Sequence, residues 1–329
     1  MENKDLETFS FIFATCHKNL GFNQKMCLST DKMDLEHAFE LAKKNNILLP
    51  FCQSLDQNKE IGLNTEENSL VQKIISNSKS HQKKVRVSLL YLSKLLGPDI
   101  VIHKTYRAHE RIPNDIDFIV RDYKKARLLI ESKLGQPDHV DLSVPDAVFL
   151  YQGGVKLHLH GRVGWHGKRY MDDDVYFQST RSVPFCGTKI QIPNKSVDFL
   201  IHVAHMNFEP LHITLSELFY LNTLREQIDL EFCFEQSKRY SWSGAFLRAV
   251  EKIDQFNDIL FGSSNSAKAA NQLGQAFPYT FSNQHIIKSF VRKGIFWEPM
   301  LKFHKVIRVL LTNNSYDGFY QPPEKNLDR

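Results

Sequence analysis

The sequence predicts an α+β fold in which a small mixed sheet is flanked by helical regions on both sides. Three observations predict it. Apolar residues recur at helical spacing up to about residue 85. Between residues 86 and 193 the pattern changes to short β-branched and alternating segments punctuated by glycine. After Pro193 the helical spacing returns. The expected division is a helical region over 1–85, an α/β core over 86–193 and a second helical region over 194–329.

Each element has its own signal. In LEHAFELAKKNNILLPF, Leu35, Phe39, Leu41 and Ala42 share a helical face, Asp34 caps the start and Pro50 is expected to end the element. Residues 55–68 are polar and read as a loop. A second helix is expected from Ser69 to Leu96, carried by Val71, Ile74, Ile75, Val85, Leu89 and Leu92 and stopped by Gly97-Pro98. Residues 99–102 read as a strand, and 103–114 as a polar connection. Asp115–Val120 alternates polar and apolar residues and then turns fully apolar, as a strand that starts at the surface and runs inward would. Residues 122–134 form a helix behind the cap Asp122. Residues 146–151 and 155–160 make a hairpin around Gly153-Gly154, and 182–186 and 188–192 make another around Gly187. Asn194 or Ser196 caps SVDFLIHVAHM. The stretch from Leu215 to Tyr240 is strongly apolar at helical spacing, with further helices at 243–257 and 284–311 and a frayed tail over 315–329.

Composition narrows the function classes. The chain has 329 residues, 42% hydrophobic and 12% aromatic, which is enough to build a large core and excludes a disordered chain. Its formal charge of +5 is too small for a purely electrostatic nucleic-acid binder, though a local basic patch is compatible with it. The five cysteines are odd in number and contain no C-x-x-C pair, so neither a disulfide framework nor a thiolate zinc site is supported. The start, MENKDLETFS, lacks the features of a signal peptide, and no apolar run approaches the ~20 residues of a membrane span. The expectation is a soluble cytoplasmic protein with no membrane partner.

The chemistry concentrates in Arg111-Ile112-Pro113-Asn114-Asp115-Ile116-Asp117. Aspartates two apart on a strand share one face. Carboxylates held that close repel unless a cation sits with them, and Mg²⁺ bridging carboxylates to phosphates fits the pattern. The same residues also fit a strand whose first turn is simply solvated. His158 and His160 likewise share a strand face, either beside the same cation or as ordinary solvated histidines. Imidazole nitrogen would favour Mn²⁺ or zinc over Mg²⁺. His103, His109 and His166 flank these segments without a tight ligand spacing.

Cations surround them. Lys104, Arg107 and Arg111 precede the acidic strand, while Arg121, Lys124, Lys125 and Arg127 follow it. Arg162, Lys168 and Arg169 lie near Trp165 and Tyr170, suiting either a phosphate-and-base contact or an ordinary surface loop; Lys124 and Lys125 read as a solvated helix face. Asp172-Asp173-Asp174 offers a further acidic group, more simply a solvated run.

Taken in order, these segments resemble a broad nucleotidyltransferase family within the DNA polymerase β-like superfamily. KMCLSTDKMDLEHAFELAKKNNILLPF resembles its opening helices, IVIHKTYRAHERIPNDIDFIV its metal strand, VKLHLHGRV its Glu-Leu-His segment, and IPNKSVDFLIHVAHM with LSELFYL its later helices. The resemblance implies a nucleotidyltransferase core that transfers a nucleoside monophosphate from a nucleoside triphosphate, ATP among them, to an acceptor that is a small molecule, protein or RNA. It implies Asp115, Asp117 and His158 as catalytic and metal-holding residues, with Mg²⁺, or Mn²⁺, as the ion. Lys104, Thr105 and Arg111 are implied to contact the nucleotide, Lys104 and Arg111 as phosphate clamps. His160, His205 and Glu217 fall on further family positions. The sequence departs from the pattern in two places: Thr105 stands where a turn glycine is expected, and His158 where a third carboxylate is. Two other function classes follow from those departures and from the charge: a degenerate member that binds a nucleotide or partner without turnover, and a basic-surfaced RNA or DNA partner.

Overall fold

The computed structural model describes residues 34–58, 61–97, 100–105, 115–141, 146–151, 154–165, 168–208 and 214–262, together with positions 8, 11, 12, 15 and 16. Among the described residues from 34 onward, three helices precede the sheet: α1 (Leu35–Lys44), α2 (Leu48–Gln57) and α3 (Thr65–Leu96). The central region holds β1 (Ile100–Ile102), β2 (Asp115–Val120), α4 (Tyr123–Leu134), β3 (His139–Asp141), β4 (Asp146–Tyr151) and β5 (Val155–His160). It continues with β6 (Gly164–Trp165), β7 (Lys168–Arg169), α5 (Asp173–Gln178), β8 (Thr180–Phe185) and β9 (Thr188–Pro193). Four helices follow: α6 (Lys195–Phe208), α7 (Leu215–Arg225), α8 (Leu230–Arg239) and α9 (Ser243–Gly262). The fold is α+β, as expected. None of the described helices is long and apolar enough to cross a membrane.

Among the described residues the sheet has seven strands in the order β3-β4-β5-β2-β1-β9-β8 and is mixed. β2 pairs antiparallel with β1 and parallel with β5, so these three strands lie side by side. A separate two-stranded ribbon joins β6 and β7.

Strand alternation sorts the side chains. Ile100 and Ile102 of β1, Ile116, Phe118 and Val120 of β2, and Val155, Leu157 and Leu159 of β5 enter one apolar cluster. It is closed by Val85, Leu89 and Leu92 of α3 and by Ala126 and Ile130 of α4. The other face of these strands carries Val101 and Ile119, which join a second cluster, and the polar residues Asp115, Asp117, His158 and His160. That second cluster unites α1 and α2 with α6, α7 and α9. The two helical regions therefore share a core although they lie at opposite ends of the sequence.

Local signals explain most element ends. Asp34 accepts from the His37 amide at 3.0 Å, Asp122 from Lys125 at 3.0 Å and Asn194 from Val197 at 2.9 Å. Four expectations need correction. Pro50 does not end a helix; it lies in the first turn of α2, where its missing N–H has no intrahelical partner to lose. Residues 55–68 are not one loop, because α2 runs to Gln57 and α3 already starts at Thr65. Asn64 and Glu67 form a capping box there, at 2.9 and 2.8 Å, which turns a polar stretch into a helix start. The apolar stretch from Leu215 breaks into α7 and α8, with Asp229 capping the second by accepting from Phe232. Finally, the boundary placed at residue 85 falls inside α3, which passes through it unbroken. The helix expected at 284–311 and the tail lie outside the described residues.

Candidate metal centre

The site is built at the ends of β1, β2 and β5. Parallel pairing sets Asp117 opposite His158, and the alternation above turns Asp115, Asp117, His158 and His160 to one face. Asp117 is the hub. Its Oδ1 lies 2.9 Å from His160 Nε2, 3.2 Å from His158 Nδ1 and 3.9 Å from Lys104 Nζ. Asp117 is buried, whereas Asp115 and His158 are only partly so. The ligand-capable atoms of Asp115, Asp117 and His158 all lie within 4.8 Å of one another.

Burial opposes a charge on Asp117, but Lys104 and the two histidines outweigh it and hold its carboxyl well below the usual carboxylate range. His160 moves the other way for an imidazole. Burial and then the neighbouring His158 push its pKa down, against the pull of Asp117. The two imidazole rings stand with their centroids 4.0 Å apart.

Thr105 holds the hub in place. Its Oγ1 accepts from the Asp117 amide at 2.9 Å and donates to the Asp115 carbonyl at 3.4 Å. The His103 amide donates to the Asp117 carbonyl at 3.1 Å. The tight turn expected of a glycine is made one residue earlier than the sequence suggested. Lys104, not Thr105, takes the left-handed conformation, at φ 55°. That conformation costs a residue with a Cβ about 1 kcal/mol and turns the lysine side chain inward, where it is buried. Thr105 therefore differs from the nucleotide contact implied by the resemblance: its hydroxyl is buried and already committed to the backbone of β2. Thr105→Val is expected to lower stability by about 1–3 kcal/mol, because it strands a buried amide, and Thr105→Ser to restore it. Urea unfolding of the two variants checks this.

Other expected residues are placed elsewhere. Arg111, His109 and His166 lie outside the described residues. Lys124 and Lys125 are exposed on α4, the solvated face expected of them. Asp172, Asp173 and Asp174, offered as a further acidic group, form the start of α5 and belong to neither ligand-capable group among the described residues. Asp172 caps it through the Asp174 and Val175 amides, and Asp173 accepts from Val163 at 3.1 Å. Tyr170 is buried and stacked on Phe208 with centroids 5.6 Å apart, so it is core rather than a base-stacking ring. His205 and Glu217 do come together, at 3.5 Å, between α6 and α7.

Two features went unread in the sequence. His103, noted only as a flanking residue, is buried beside His160 with ring centroids 4.9 Å apart. Behind it a polar chain continues into the helices. The Tyr176 ring meets His103 edge-on at 6.2 Å. Asp198 accepts from the Tyr220 hydroxyl and lies 3.4 Å from His202 Nε2. Burial, then the Asp198 and Asp117 carboxylates, push the Tyr176 phenol well above its ordinary value. The Asp198–His202 spacing of four was a readable helical pair; the position of Tyr176 depends on the tertiary fold.

The donor set of two carboxylates and one imidazole fits a divalent cation. The oxygens suit Mg²⁺ and the nitrogen moves the preference toward Mn²⁺. Asp115, Asp117 and His158 are the residues that would hold it. No family model matches this chain, and no curated protein or solved structure is detectably similar to it.

Proposed function

We propose that the chain is a divalent-metal-dependent nucleotidyltransferase that moves a nucleoside monophosphate from a nucleoside triphosphate to an acceptor hydroxyl. One observation carries the reading. A D-x-D strand pairs antiparallel with the strand before it and parallel with a strand that sets His158 opposite Asp117, so three ligand-capable groups meet at the partly exposed end of a mixed sheet. A bound Mg²⁺ or Mn²⁺ would neutralise phosphate charge as a Lewis acid. In the transfer, the acceptor oxygen bonds to the α-phosphorus, the α–β phosphoanhydride bond breaks, and pyrophosphate departs with the electron pair while the acceptor proton passes to solvent. Asp115 offers its carboxylate on the solvent side, and Asp117 is anchored by Thr105 and the His103 backbone. Lys104 supplies fixed positive charge within the site. Arg121, whose guanidinium lies 4.5 Å over the Phe177 ring, is a further cation at the end of β2.

A second reading has its own observation. Lys104 Nζ faces Asp117 Oδ1, so a cation already accompanies the carboxylate, and a histidine stands where a third carboxylate is expected. Such a site would bind a nucleotide without turning it over. Calorimetry with Mg²⁺ or Mn²⁺ and each nucleoside triphosphate, followed by pyrophosphate release in the presence of cell extract, separates the two. Binding with release supports transfer, and binding without release supports the degenerate reading. Absence of metal-dependent nucleotide binding in the wild type removes both.

The imidazole gives a quantitative check. His158→Glu adds a negative oxygen ligand and is expected to tighten Mg²⁺ by about tenfold, since ligand charge sets the affinity of hard cations. It should also narrow the preference for Mn²⁺. Equal Mg²⁺ affinity in His158→Glu, His158→Ala and wild type would make His158 a bystander.

A further inference from the structure

Asp117 belongs to a second ligand-capable group. Besides Asp115 and His158, its carboxylate is grouped with two buried imidazoles, those of His103 and His160. The three residues are 4%, 7% and 9% exposed in the order His103, Asp117, His160. Their ligand-capable atoms lie within 4.8 Å of one another. His103 directly follows β1, Asp117 lies within β2 and His160 ends β5, and these three strands are adjacent, so the sheet itself fixes their spacing. The His103 amide to Asp117 carbonyl bond, at 3.1 Å, ties the first to the second.

The geometry points to a resident zinc-class metal site held by His103, Asp117 and His160, separate from the Asp115–Asp117–His158 set and sharing only Asp117 with it. Two imidazole nitrogens and one carboxylate oxygen are a borderline donor set, which favours a first-row transition ion such as Zn²⁺ over Mg²⁺. Burial of all three residues suits an ion that stays rather than one that exchanges with each substrate. The Tyr176 hydroxyl lies in the same interior. It is fully buried, has no hydrogen-bond partner among the described residues, and its ring packs edge-on against His103. His160 Nε2, now hydrogen-bonded to Asp117 Oδ1, would hold the ion as the neutral imidazole whose ring proton sits on Nδ1, so no net proton is released. Lys104 Nζ, 3.9 Å from the same oxygen, competes electrostatically with the ion.

This inference does not depend on nucleotidyl transfer, and its test reads metal rather than activity. The full chain is stripped with chelator and titrated with Zn²⁺ alone, and with Co²⁺ as a spectroscopic probe. The wild type should take up Zn²⁺ and show visible ligand-field bands with Co²⁺. His103→Ala and His160→Ala should weaken Zn²⁺ by about a hundredfold and abolish the bands. Asp115→Asn and His158→Ala should retain both, and Lys104→Met should tighten Zn²⁺. His103→Gln, which preserves size and polarity, guards against a folding defect in the alanine variant and should show the same loss. Failure of the wild type to bind Zn²⁺ overturns the inference. Retention of the bands in His103→Gln, or their loss in Asp115→Asn, also overturns it. Because Asp115 belongs only to the other set, a protein that holds Zn²⁺ yet binds no nucleotide would sink the transfer reading and leave this one standing.

Discussion

Asp117→Asn is expected to lose divalent-cation binding by at least about a hundredfold and to lose about 3 kcal/mol of stability at once. The first effect follows from position. Asp117 belongs to both ligand-capable groups among the described residues, so no other single substitution removes a donor from each. The second follows from burial. Its side chain and that of Lys104 are each 10% exposed, and a neutral amide leaves the lysine charge facing no carboxylate at that point. Breaking one half of a buried pair costs more than the pair itself contributes. The two effects separate in the double variant: adding Lys104→Met to Asp117→Asn should recover most of the stability and none of the cation binding. Urea unfolding and metal titration on the wild type, the two single variants and the double variant check this. If Asp117→Asn binds Mn²⁺ and Zn²⁺ like the wild type, the centre is misplaced.

Trp242→Ala should be the most damaging core change, costing about 3–5 kcal/mol. The side chain is 1% exposed at the start of α9. It packs against Tyr170, Phe208 and Phe246 with ring centroids 6.5, 5.8 and 5.9 Å away. Its Nε1 donates to the Tyr170 carbonyl at 3.0 Å, so truncation adds an unpaired buried carbonyl to the cavity. Trp242→Phe keeps most of the apolar contact and should cost about 1–2 kcal/mol. The residue also matters for the site, because Tyr170 and Met171 lead directly into α5, which carries Tyr176 against His103. Urea midpoints for the two variants check the ranking; equal losses would assign the effect to the N–H rather than to packing.

Much of this architecture was legible in the sequence, for stated reasons. The acidic strand was readable because Asp115 and Asp117 alternate with Ile116 and Phe118, and a period of two has one structural meaning. Caps at Asp34, Asp122 and Asn194 were readable because a short acceptor side chain before an apolar run satisfies the free amides of a helix start. Pro50 misled because proline stops a helix from the interior but is tolerated in its first turn, and composition does not distinguish the two. The early start of α3 was hidden by its polar residues, although Asn64-x-x-Glu67 carried the capping signature. The site was half legible. Same-strand pairs, Asp115 with Asp117 and His158 with His160, follow from local geometry. The recruitment of His103 and Tyr176 does not, since it depends on which strands become neighbours and on where α5 packs. The resemblance puts the tight turn at Thr105, whereas Lys104, one residue earlier, takes the left-handed conformation.

The long helix α3 has a consequence for how the molecule breathes. Its 32 residues span about 48 Å. Val71 and Ile75 near one end belong to the core shared by the two helical regions, and Val85, Leu89 and Leu92 near the other belong to the core under the sheet. Between them, residues 79–84 bury no side chain fully. Amides on such a solvated stretch would ordinarily exchange with water through brief local fraying. Here the stretch has an anchor at each end, and unwinding it requires one core to release its half. Deuterium uptake at 79–84 should therefore be slow for so exposed a segment, and its opening free energy should match that of the weaker core. The same six residues then act as a built-in gauge: a destabilising substitution in the weaker core will accelerate their exchange, while one in the stronger core will leave it unchanged.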